Sequence, residues 1–162
     1  MCAENNVKPD ATKNKMLTHT LTKLFLRDLT KLEEELQLYS NESDLWRLKE
    51  GISNSAGNLC LHLVGNLNHF IGAELGQTGY VRQRDLEFAT KDVPRETLLQ
   101  QVADTKTMIT ASLKSLTEEQ LQEEYRRNPF EDYMTTEYFL VHLSMHLAYH
   151  LGQINYHRRL LQ

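Results

Sequence analysis

The sequence predicts an all-α protein, a four-helix bundle. Three observations lead there. Apolar residues recur at intervals of three and four along four long segments, the spacing of one face of an α-helix. No stretch reads as a strand. Helix start and stop signals fall between the segments, with no internal repeat, low-complexity tract or domain linker. The 162 residues, 40% apolar and 25% charged, suit one domain with a sizeable core.

Residues 1–13 are polar and contain Pro9, so they are expected to form a mobile tail before a single domain at 14–162. The first helix is expected from Asn14 to Leu38, carried by Leu17, Leu21, Leu24, Phe25, Leu29, Leu32 and Leu36. Glu33, Glu34 and Glu35 are placed on its solvated side, and His19 is taken as an exposed polar residue. Residues 39–56 are irregular, with the lone Trp46 covering one end of the core. A second helix follows from Ala56 to Leu75, with Gly76 as the residue that closes it. The Gly72–Gly76 pair encloses Glu74 and reads as a helix end, not a membrane dimer motif.

Residues 77–93 are expected to cross as a loop whose chemical content is Tyr80, Arg82, Arg84 and Asp85. The arginines either make surface salt bridges or lean over a site to hold an anionic substrate by a bidentate contact. Asp92 and Pro94 signal the third helix, with Leu98, Val102, Met108, Ile109 and Leu113, ending near Leu116. Thr117 and Gln120 form a capping box for a short helix. After a loop broken by Pro129, Thr135 or Thr136 starts the last helix, which runs to Arg159 or beyond. Basic residues at its end suit the helix dipole. Phe139, Leu143, Leu147, Ile154, Leu63, Phe70, Leu24 and Phe25 are the expected core.

Several function classes are disfavoured at once. The net charge is −4, so no basic field points to nucleic acid. No stretch approaches a membrane span, and residues 1–15 hold no apolar run of a signal peptide. Cys2 and Cys60 form no spaced pattern, which suits a reducing, cytoplasmic setting. There is no Ser-His-Asp order and no glycine-rich phosphate loop.

The chemistry concentrates in residues 142–157, HLSMHLAYHLGQINYH, which hold His142, His146, His150 and His157. The first three are spaced i, i+4, i+8 and form a column along one helix. At about 100° per residue, His146 and His150 point with Phe139, Leu143 and Ile154 toward the core. Two inward imidazoles one turn apart need partners, and a metal ion satisfies both. Leu147 follows His146, so the Glu of H-E-x-x-H is absent. His62 is a further inward histidine on the second helix, with Asn66 one turn on. His69 stands about 10 Å along the axis from His62, too far to share its ion. Three ligands from two helices describe an open metal site. His69, His142 and Tyr149 are candidate proton carriers, and nothing in the sequence selects among them.

His62 in LHLVGNLNHF, followed late in the chain by H-x-x-x-H-x-G-Q at His146–Gln153, resembles the DinB/YfiT-like superfamily. The resemblance covers most of the chain in architecture, but its specific motifs are short. It implies a left-handed bundle with non-sequential helix order, often homodimeric. It implies that His62, His146 and His150 bind a divalent metal, zinc or nickel. Many relatives read HHRGQ where this chain has Tyr149-His150-Leu151-Gly152-Gln153, so a basic substrate contact at position 151 is not expected. The activities it implies are transfers or isomerisations with a low-molecular-weight thiol, or metal-dependent hydrolysis of a small-molecule substrate. A non-catalytic protein with a structural metal is the third reading.

Overall fold

The structure is a computed structural model that describes residues 11–127, 129–130 and 132–161, with side chains from residue 17 onward. The expected tail at residues 1–10, with Cys2, lies outside them. Residues 11–13 do not extend the tail, because the first helix, α1, already begins at Ala11 and runs Ala11–Gln37.

Among the described residues the fold is all-α, with no strand and a single isolated bridge between Glu124 and Thr135. Four helices are long: α1, α2 (Ala56–Leu67), α4 (Arg95–Lys114) and α6 (Thr136–Leu161). A π-helical segment, Asn68–Ala73, continues α2. Two helices are short: α3 (Arg84–Ala89) and α5 (Glu118–Gln122). α1 packs against α4 and α6, and α2 packs against the same two, so the long helices close a ring in the order α1, α4, α2, α6. No described helix is long and apolar enough to cross a membrane.

The core follows the periodicity of the sequence. Phe25, Leu29, Leu32, Leu36, Leu63, Leu67, Ile109, Phe139, Leu147 and Ile154 are buried. Leu24 departs from expectation and is only half-buried, at the edge of the α1 stripe. Glu33 and Glu35 are not simply solvated. Glu33 accepts from Lys106 Nζ at 2.8 Å and Glu35 from Arg158 Nε at 2.7 Å, tying α1 to both neighbours. Trp46 is buried over Gly57, where a Cβ would meet its ring at 2.7 Å.

The helix ends show where local signals were overruled. Thr117 and Gln120 form the expected capping box. Thr135 Oγ1 accepts from the Tyr138 amide at the start of α6. Asp92 does not cap α4; the Arg95 amide donates instead to Glu42 Oε1 at 2.8 Å, from a distant turn. Gly76 does not supply the left-handed residue after the second helix. Gln77 does, at φ 52°. Gly72 and Gly76 lie against α4, where added Cβ atoms would meet Met108 Sδ at 3.1 Å and Ser112 Oγ at 2.1 Å.

The segment read as a loop at 77–93 contains α3, which packs on α2. Asn58, one turn before His62, holds it there. Its Nδ2 donates toward the carbonyls of Glu87, Phe88 and Thr90 at 3.0, 3.1 and 2.8 Å.

Candidate metal centre

Three imidazoles from two long helices meet at one edge of the core. His62 is buried on α2, while His146 and His150 are half-buried on α6. The α6 pair is therefore less enclosed than its phase suggested, because the two rings sit at the rim of the stripe, where the core opens to solvent. His146 Nε2 lies 3.3 Å from His62 Nε2 and 3.0 Å from His150 Nε2. All three donor atoms fall within 4.8 Å of one another. Nitrogens about 2.0–2.1 Å from a tetrahedral ion stand about 3.3–3.4 Å apart, close to this spacing. The rings meet nearly edge to face, at 82° and 87°.

The protons decide what this cluster does. His62 Nδ1 is 2.9 Å from Glu87 Oε2, and a carboxylate only accepts, so Nδ1 carries the hydrogen. His150 Nδ1 donates to Gln153 Oε1 at 2.6 Å, while Gln153 Nε2 donates to Tyr149 Oη at 3.2 Å. In the neutral form, both rings therefore turn a lone pair on Nε2 toward His146. His146 Nδ1 is buried and has no hydrogen-bond partner among the described residues. If His146 carries its proton there, three lone pairs converge. If it carries the proton on Nε2, one contact improves and the other does not. A single proton cannot satisfy the trio, whereas a cation satisfies all three nitrogens at once.

The electrostatics favour the neutral, ligating form of His146 and His150. Burial, then the charges of His150, His62, His142 and Arg82, push His146 down to about 4. Burial also lowers His150, against the hydrogen bond to Gln153. Burial alone would raise Glu87, but hydrogen bonds from His62 and Arg82 and the charge of Arg82 hold its carboxyl below the usual value.

The family model described as the DinB superfamily matches residues 19–154. The chain belongs to the DinB superfamily. No curated protein matches it. The matched span of this DinB chain includes all three clustered histidines.

The remaining sequence candidates divide. Asn66 is buried one turn beyond His62, with its Oδ1 unpartnered among the described residues. His69 is half-buried and packs its ring on Phe70 at 4.7 Å, apart from the trio. His142 stacks on Phe139 at 5.9 Å and meets Phe130 edge-on. Tyr149 is exposed beside His150. Arg84 lies over the Phe88 ring, which in turn packs on His62. Arg82 makes a bidentate contact, but with Glu87 rather than toward an open mouth: Nε and Nη2 reach the two carboxylate oxygens at 2.7 and 2.9 Å. Its fork is consumed inside the protein.

Glu87 and Gln153 are the site residues that inspection of the sequence passed over. Gln153 had a signal, since it closes the H-x-x-x-H-x-G-Q motif. Glu87 had none, being one acid in an unpatterned stretch.

Proposed function

We propose that this DinB protein binds a divalent metal, zinc or nickel, through His62, His146 and His150, and uses it to activate a low-molecular-weight thiol for S-transfer. The observation that carries the reading is the convergence of three Nε2 atoms, two of them with lone pairs aimed inward by Glu87 and Gln153. We further read the four long helices as a bundle of the DinB/YfiT-like type. A bound divalent ion would supply Lewis acidity that eases loss of a proton from a thiol or water.

The chain's own groups suit an exogenous thiol. Cys60 is fully buried, and burial pushes its thiol up to about 12, so it offers no nucleophile. No fourth Asp, Glu, Cys or His joins the trio among the described residues. A structural zinc usually takes four protein ligands. Three ligands, two of them on half-buried rings, favour an accessible ion over a closed staple. The thiol itself comes from the family resemblance, and hydrolysis of a small molecule is the alternative within the same site.

Cobalt substitution tests the reading. Visible absorption of the cobalt protein is expected to change when a small thiol or azide is added, and more selectively with a cellular thiol. A spectrum indifferent to all small ligands would sink the open site. A response to azide alone, with ester or amide turnover, would turn the assignment to hydrolysis.

A further inference from the structure

We infer that the Arg82–Glu87 ion pair, seated on Gly65, is the positioning device of the metal centre and sets its affinity for the ion. This rests on the three-histidine reading above. The first sign is that α3 is inside out. Its buried residue is a carboxylate, Glu87, while Leu86 beside it is 52% exposed. Six residues that expose a leucine to bury a charge run against ordinary partitioning, and such a charge persists only where it is fully paired. Here it is paired twice, by Arg82 through both oxygens and by His62 Nδ1.

The second sign is the space made for it. A Cβ at Gly65 would lie 2.1 Å from Glu87 Oε1 and 2.8 Å from its Cδ. A side chain at position 65 would force the carboxylate to shift from this place. Glycine inside a helix is otherwise unfavourable, so Gly65 marks a place where α2 yields to its neighbour. Docking of α3 does not require the carboxylate to face His62. Asn58 already anchors the helix by its C-terminal carbonyls.

The division of labour follows. Arg82 supplies the countercharge and holds both oxygens, so the carboxylate cannot swing. Glu87 then fixes the His62 ring and its tautomer, leaving the Nε2 lone pair toward His146. Partners of this kind orient metal-ligating histidines, and their loss costs about 10–100-fold in metal affinity.

Zinc affinity of the full chain, measured by competition with a chromophoric chelator, tests this. Glu87→Gln keeps the shape and should weaken zinc by about 10-fold; Glu87→Ala should approach about 100-fold. Both proteins are checked for folding by circular dichroism. NMR of the imidazole nitrogens in the metal-free wild type gives an independent readout: His62 should carry its proton on Nδ1. Equal zinc affinity in folded variants and wild type overturns this inference and leaves the metal site standing. So does a His62 proton found on Nε2. A wild-type chain that takes up no zinc overturns both.

Discussion

α6 carries two histidine regions that differ in every respect except residue type and helix face. Near its end, His157 is 3% exposed and fully partnered. Its Nδ1 accepts from Tyr39 Oη at 2.7 Å, and its Nε2 donates to the Arg47 carbonyl at 2.9 Å. One ring thus joins α6 to the end of α1 and to the turn before α2. Two turns earlier, His146 and His150 are less buried yet worse satisfied. They face a third imidazole across lone pairs, and one buried nitrogen has no partner. The first region is a finished hydrogen-bond network, stable without any ligand. The second is a network whose facing Nε2 atoms no single proton satisfies, an arrangement that a cation would suit. Burial alone therefore does not distinguish a structural histidine from a ligand. The balance of donors and acceptors around each ring does.

The comparison breaks most readily at its largest expected effect. His157→Ala should destabilise the chain by about 2–4 kcal/mol, because it leaves a cavity and orphans the Arg47 carbonyl. Its zinc content should be unchanged. His146→Ala should do the reverse, losing stoichiometric zinc while the metal-free stability moves by less than about 1 kcal/mol. Urea denaturation and metal analysis of both variants decide it. Equal destabilisation of the two metal-free proteins would make the trio a structural cluster as well.

A second effect, smaller, is in pH. His146 takes up its proton near 6.5 when unfolded but only near 4 when folded. Between these values the unfolded chain binds more protons, so stability is full above about 6.5 and falls as the pH drops toward 4. The loss should be about 2 kcal/mol for the metal-free chain, allowing for partial exposure of the ring. His146→Ala should flatten this part of the stability profile. A slope unaffected by the substitution would mean that another group is responsible.

The smallest effect sharpens the other half. Tyr39→Phe removes the hydroxyl from His157 Nδ1 and should cost about 1 kcal/mol with zinc binding intact. A neutral result would show that ring packing, at 5.9 Å between centroids, carries that contact.

Much of this was legible because helices are local. Leu21, Phe25, Leu29, Leu32 and Leu36 form a stripe whatever they pack against, and the stripe alone predicts α1. His146 and His150 are one turn apart by spacing alone, so their pairing needed no tertiary information. Glu34 is exposed as its position on the helix implies, but Glu33 and Glu35 depart from that expectation for the complementary reason. Glu33 and Glu35 sit on the flank of the stripe, and only the approach of Lys106 and Arg158 turns solvated acids into ties between helices.

The sequence by itself determined the helical class, the four long helices, the α6 histidine pair and the inward phase of His62, because backbone periodicity sets which residues share a face. It left open what each face would meet. Only the tertiary structure decided that His62 closes on His146, that His157 is spoken for by Tyr39 and Arg47, and that Arg82 is spent on Glu87. It alone placed Glu87, since α3 is too short for a periodic signal and is held by Asn58 from another helix. Periodicity is a property of one segment, whereas satisfying a buried donor or acceptor requires two, and the second is chosen by packing.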